Sequence, residues 1–299
     1  MNLFQIEFVQ NAFIAGSIVA VLTAIVGYFV VLRVQAFAGD ALAHIGFAGA
    51  TGAAVLGIAS LIGTYFFTLL GAIGMGALGE RVRGRDLEIG MVLSFALGLG
   101  VLFLNLYTSF ATEAVGVLFG SILSVTRSDV GTILITSIVM LLILGFIFRP
   151  LLFSSIDPEV ALARGVPVRA LSIGFMLLLA ITVAEAIQVV GVLLVFALLI
   201  APAATAQKVS HEPLSTIGLS ILFGLLFTWC GLLLAFFTRL PVSFYISVLA
   251  ALSYLVVMLL TRLRTPYRYK APPHPSRECK DPTMIQPPVD TRPLQEKVL

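Results

Sequence analysis

Residues 37–51 read FAGDALAHIGFAGAT. The run is apolar enough to sit in a membrane, yet it carries Asp40 and His44 four positions apart. On a helix that spacing places both side chains on one face, one above the other. The residues around the pair are small, among them Gly39, Ala41, Ala43, Gly46 and Gly49, and small residues let neighbouring helices approach closely in a bilayer. A carboxylate and an imidazole one turn apart, facing protein or a water-filled path, read as part of a divalent-metal site. Two ligands do not complete such a site. The rest must be water, backbone carbonyls or the same pair from a second copy. The bland alternative is a structural pair at the cytoplasmic end of a span.

Working outward, the chain has 299 residues, 59% of them hydrophobic and 11% charged. Several apolar runs reach the roughly 20 residues that cross a bilayer, so the expected fold is an all-α polytopic membrane protein. No Lys or Arg precedes Arg33. By the positive-inside rule the N-terminus therefore lies outside and Arg33 faces the cytoplasm. Arg81, Arg83 and Arg85 fix a second cytoplasmic loop, and Arg262, Arg264, Arg268 and Lys270 a third. The spans fall at about 11–32, 36–58, 60–78, 87–107, 130–148, 170–184, 188–206, 214–237 and 242–260, giving about nine. Residues 108–129 are too broken to cross and read as an outward loop with a short re-entrant or interfacial helix. The membrane region thus covers residues 1–264. Residues 265–299, rich in proline and charge, are expected to form a disordered cytoplasmic tail.

Between the fifth and sixth spans, SSIDPEVALARGVP has a helix start at Ser155 to Glu159 and a stop at Gly165 and Pro167. It reads as a short cytoplasmic helix that either is merely solvated or docks a soluble partner. Glu113 and Glu185 are placed at outward ends, as solvated interface residues or as a funnel that attracts cations. Gly74 to Gly79 matches G-x-G-x-x-G, but without the strand or βαβ unit a nucleotide site needs, and no Walker A sequence occurs. Cys230 and Cys279 suggest neither a disulfide framework nor a cysteine metal site. His211 and His274 have no clustered partner, and no feature points to nucleic acid.

These residues carry a resemblance. VVLRVQAFAGDALAHIGFAGA, LFGSIL at 118–123, DPEVALARGVP and GVLLVFALLIAPAATA resemble the membrane permeases of bacterial zinc/manganese-type ATP-binding-cassette importers, over about residues 13–260. In that family the front motif commonly reads Gly-Asp-Ala-Leu-Ser-His before a Leu-Pro-Gly. Asp40 and His44 keep their places here, while Ala43 replaces the serine and Phe47-Ala48-Gly49 the Leu-Pro-Gly.

The resemblance implies a type II, vitamin B12-type importer architecture in the bacterial cytoplasmic membrane, with two permease copies forming the pore. Cytoplasmic ATPase subunits would dock on the loop at about 154–168, which places Asp157, Glu159, Ala161, Arg164 and Gly165 in ATPase coupling. An extracytoplasmic metal-binding protein would deliver the ion, and Asp40 and His44 would contact it. The expected function is import of Zn2+ or Mn2+ as cargo, with no tightly bound cofactor and no catalysis by this chain. Iron or an iron chelate is an alternative cargo. A secondary transporter using Asp40 and His44 as a proton relay is an alternative class. Imidazole suits zinc and carboxylate with water suits manganese, so the pair does not choose between them.

Overall fold

The computed structural model describes residues 7–78, 85–106, 116–120, 122–210, 212–238 and 241–264. All regular structure among them is helical. In chain order the helices are α1 (Glu7–Leu32), α2 (Ala36–Val55), α3 (Ser60–Leu78), α4 (Arg85–Leu106), α5 (Arg127–Ile156), α6 (Pro158–Ala163), α7 (Val168–Val190), α8 (Val192–Val209), α9 (Pro213–Phe237) and α10 (Val242–Arg264). Among the described residues, 7 helices are long and apolar enough to cross a membrane: α1, α4, α5 and α7 to α10. In α2 the apolar character is diluted by Asp40, His44 and many glycines and alanines, and in α3 the apolar stretch is shorter. α2 packs mainly against protein, on α3, α4, α7 and α8, which is why it manages with less apolar surface than a lipid-facing helix. α3 packs on α2 and α7 with one face and exposes Leu61, Ile62, Phe66, Leu70 and Ile73 on the other.

α1 is the central post, in contact with α5, α7, α8 and α9. Its polar side chains reveal the directions of its neighbours. Asn11 Nδ2 donates to the Val125 carbonyl (3.3 Å) near one end and Arg33 Nη1 donates to Ser155 Oγ (3.3 Å) at the other, so α1 and α5 run parallel. Ser220 Oγ donates to the Ala24 carbonyl (3.1 Å) and Trp229 Nε1 to Ser17 Oγ (2.8 Å), so α9 runs antiparallel to α1. Gln207 Nε2 reaches the Tyr28 carbonyl (3.3 Å), which sets the end of α8 beside the end of α1. These directions agree with the alternation that the positive charges predict.

Three helices end in the same turn. After α2, Gly57 N–H donates to the Ala54 carbonyl and Ile58 N–H to that of Ala53; after α6, Gly165 donates to Leu162 and Val166 to Ala161. Both glycines are left-handed, at φ 71° and 78°. This is the Schellman stop, in which glycine supplies the positive φ without steric cost. After α1 the pattern repeats, with Val34 donating to Val31 and Gln35 to Val30, but the left-handed residue is Val34 at φ 54°. A β-branched residue there is strained by about 1–2 kcal/mol. Its side chain is 87% exposed and contributes little packing. Val34→Gly should therefore raise stability by about 0.5–1 kcal/mol after the entropy cost of glycine, seen as a higher melting temperature in detergent. An unchanged or lower value would mean that the strain is relieved elsewhere.

Three boundaries differ from expectation. The fifth span is expected at about 130–148, but α5 continues through Pro150 to Ile156. The proline removes one donor, and the turn beyond it is held by Ser154 and Ser155 hydroxyls donating to the Leu151 carbonyl and by Arg33. α2 stops at Val55 rather than near Ile58, because Gly57 ends it. The break between the sixth and seventh expected spans, placed at residues 184–188, lies at Gly191 instead (φ 83°). There the chain passes against a second positive-φ glycine, Gly120. A side-chain carbon on Gly191 would come within 2.7 Å of the Leu118 carbonyl oxygen, and one on Gly120 within 2.6 Å of the Gly191 nitrogen. Residues 116–119 form one helical turn and Ile122–Ser124 a 3-10 turn. This segment therefore lies directly on the α7–α8 junction, fastened by Ser243 Oγ donating to the Phe119 carbonyl (2.8 Å).

Candidate metal site on α2

The α2 helix is wedged in place by its glycines. At its crossing with α3, Gly49 and Gly63 bring the two backbones into contact, and a side-chain carbon on either would strike the other's carbonyl. Carbons added at Gly46 or Gly39 would meet Ile187 Cδ1 of α7 at 2.7 Å and Leu199 Cδ2 of α8 at 2.9 Å. Three neighbours thus clamp α2, and most of its surface is buried. Besides Phe37 in the first turn and Ala54 and Val55 at the far end, one stripe stays partly open: Ala36, Asp40 and His44, at four-residue spacing, closing at Ala48, which is 0% exposed.

Within that stripe His44 Nε2 and Asp40 Oδ1 are 3.9 Å apart, with side chains 24% and 32% exposed. The gap is too long for a hydrogen bond. Two donors each about 2.1 Å from a shared cation stand about 3.4 Å apart at a tetrahedral angle and at most about 4.2 Å, so a side-chain shift of about half an ångström would let the pair share one ion. His44 Nδ1 is buried and has no hydrogen-bond partner among the described residues. No third His, Cys, Asp or Glu joins the pair among the described residues. Among the described residues a single chain thus presents two candidate ligands and an open side.

Glu185 requires a correction. Expected at an outward, solvated end, it is 0% exposed and lies one and a half turns inside α7. Its Oε1 accepts from Thr136 Oγ1 (2.7 Å) and Ser137 Oγ (2.9 Å) of α5, while Oε2 has no partner among the described residues. The cause is the later break at Gly191, which carries the helix past Glu185, so that two hydroxyls replace the water the sequence reading gave it. Glu113 and His211 lie outside the described residues, as do His274 and Cys279.

The expected loop helix is α6. Asp157 caps it, its Oδ1 accepting from Val160 N–H (3.0 Å); Pro158 opens it, Glu159 sits in its first turn and Gly165 ends it. Ala161 is buried, and the Arg164 guanidinium stacks on Phe153 of α5 (5.5 Å). Val160 and Leu162 are 42% and 60% exposed beside the exposed acids. At the other end of the bundle, a cavity of about 430 Å3 opens beside the α7–α8 junction, lined by Phe119, Ile122, Val190, Leu194 and Pro241. Sequence reading missed that junction, the Glu185 hydroxyl partners and the contacts of Arg33. A glycine before an apolar run was the only signal for the first.

Comparisons with known proteins agree with this architecture. The manganese transport system membrane protein MntC of Listeria monocytogenes is 31% identical over 259 residues, covering 86% of this chain and 92% of its own. The high-affinity zinc uptake system membrane protein ZnuB of Haemophilus influenzae is 31% identical over 236 residues, with 79% and 90% coverage. Among solved structures, PsaBC from Streptococcus pneumoniae in complex with Fab superposes with a TM-score of 0.77 at 32% identity, covering 86% of this chain and 92% of that one. The ABC 3 transport family matches residues 5–261. On these grounds the chain belongs to the ABC 3 transport family, as a multi-pass membrane permease subunit whose ATP is hydrolysed on a separate polypeptide.

Proposed function

We propose that the chain is the pore-forming subunit of an importer that carries a divalent transition metal, Zn2+ or Mn2+, into the cytoplasm. The observation that carries the reading is the Asp40–His44 pair, held 3.9 Å apart on a partly open stripe of a largely buried helix. An incomplete site suits a transporter, which must release its ion as well as bind it. A second copy, facing the first across the open stripe, would supply the remaining ligands. In this reading about nine helices, α2 and α3 included, span the membrane in a type II arrangement over residues 1–264, and residues 265–299 form a cytoplasmic tail.

The exposed acids and apolar residues of α6 make it the contact for the ATPase, with Asp157, Glu159, Ala161, Arg164 and Gly165 shaping or presenting that surface. An extracytoplasmic binding protein would deliver the metal at the opposite end. Relatives named for manganese stand at 31–33% identity and one named for zinc at 31%, and the imidazole–carboxylate pair suits both ions. Uptake assays decide the cargo: vesicles holding this chain with its ATPase should accumulate one of Zn2+, Mn2+ or Fe2+, by elemental analysis, only with hydrolysable ATP. Accumulation driven by a proton gradient without the ATPase would overturn the importer reading.

A further inference from the structure

The end of α1 connects the two parts of the proposed machine. Asp157 is at once the C-cap of α5 and the N-cap of α6, and Arg164 of α6 stacks back on Phe153 of α5. The loop helix and the last turn of α5 therefore form one unit. Ser155 in that turn donates to the Leu151 carbonyl and accepts from Arg33 Nη1 at 3.3 Å. The same guanidinium lies over the Phe175 ring of α7, 5.6 Å from its centroid. Arg33 is followed at once by the left-handed Val34 and then by Gln35, which is 4% exposed. The Gln35 carbonyl accepts from Gly39 N–H (3.1 Å), in the first turn of α2 and next to Asp40. From α6 to the metal pair there is no slack segment: each link is a cap, a stacked cation, a hydrogen bond or a strained elbow.

We propose that Arg33 is a positioning residue that couples movement of α6 to the Asp40–His44 pair, its guanidinium holding the Val34–Gln35 elbow against the last turn of α5. The role rests on the reading that the ATPase docks on α6. Small displacements carry through such a chain because packed elements shift between arrangements rather than deform. The planar guanidinium is specifically required: it bonds Ser155 through one nitrogen while its face lies on Phe175, a double contact that an ammonium group does not reproduce. A positive charge at this membrane level could otherwise serve only as a topology anchor, and lysine would fill that office equally well.

The test uses the full chain with its ATPase in proteoliposomes, comparing wild type, Arg33→Lys, Arg33→Gln and Ser155→Ala. Two rates are read, ATP hydrolysis and metal accumulated, with zinc and manganese as the probes. Arg33→Gln should leave hydrolysis within about twofold of wild type and lower the metal moved per ATP about tenfold. Arg33→Lys should share most of that loss, and Ser155→Ala should lose about two- to threefold in the same ratio. Full metal-per-ATP in Arg33→Lys would overturn the proposal in favour of a topology anchor. Equal falls in hydrolysis and transport in all three variants would overturn it in favour of a folding or docking role. Absence of ATP-dependent uptake in the wild type would overturn the importer reading and the coupling role with it.

Discussion

Asp40→Ala and His44→Ala should each reduce metal uptake at least about tenfold, to near background, while the folded protein keeps its melting temperature. The two halves of that expectation have separate grounds. The pair contributes little to stability, because its side chains are partly exposed and 3.9 Å apart, and such ion pairs are worth less than about 1 kcal/mol. Truncating Asp40 leaves no buried partner charge stranded, and the neighbours of α2 are set by its glycines and alanines rather than by these two residues. Transport is another matter: if Asp40 and His44 are the ligands proposed above, losing one halves what the described residues of the chain offer the ion. The double variant should be little worse than either single one, since groups that act as a unit are not additive. Asp40→Asn should lose nearly as much as Asp40→Ala, because it keeps the shape and removes the charge that favours a cation. Unchanged uptake in both alanine variants, at equal expression, would show the pair to be structural and would move the site elsewhere.

Much of this was legible in the residues before any coordinates. That Asp40 and His44 share one face of α2 was readable because the pair stands at helical spacing inside an apolar run; their role as metal ligands remains the proposal made above. The capping pattern of Asp157-Pro158-Glu159 and the stop at Gly165 were readable because caps are local, set by a handful of neighbouring residues. Glu185 was misplaced for the opposite reason. Whether a carboxylate ends a span or sits within it depends on hydroxyls 48 and 49 positions away in Ser137 and Thr136, and no local pattern announces them. The Gly120–Gly191 contact is likewise invisible in sequence, since a glycine permits a close approach without naming the partner. The run of α5 past Pro150 had no local signal: proline usually ends a helix, but here the next turn has its own serine bonds and a guanidinium to hold it.

Gly27→Ala should destabilise the protein by about 3 kcal/mol, toward the upper end of the overpacking range, and lower its melting temperature by roughly 10 °C. The crossing of α1 and α8 places Gly27 directly on the Leu199 backbone. A methyl carbon there would overlap the Leu199 carbonyl oxygen and stand 2.9 Å from its carbon. The obstacle is main chain within a helix, and it cannot rotate aside; α8 must retreat as a body. Leu199 also fixes α2, since its Cδ2 lies 2.9 Å from where a carbon on Gly39 would sit. A displaced α8 would loosen the start of α2 beside Asp40, so uptake should fall together with stability. Gly39→Ala offers the internal comparison. Its clash is with the far end of a side chain, so Leu199→Ala should relieve it, whereas the same second change should do nothing for Gly27→Ala. Gly145→Ala in α5, where nothing lies within 4 Å of the added carbon, should be neutral or slightly stabilising, because alanine is the better helix former. Rescue of Gly27→Ala by Leu199→Ala would contradict the backbone contact. Rescue confined to Gly39→Ala would establish that one residue of α8 sets the spacing of both α1 and α2, and with it the position of the metal pair.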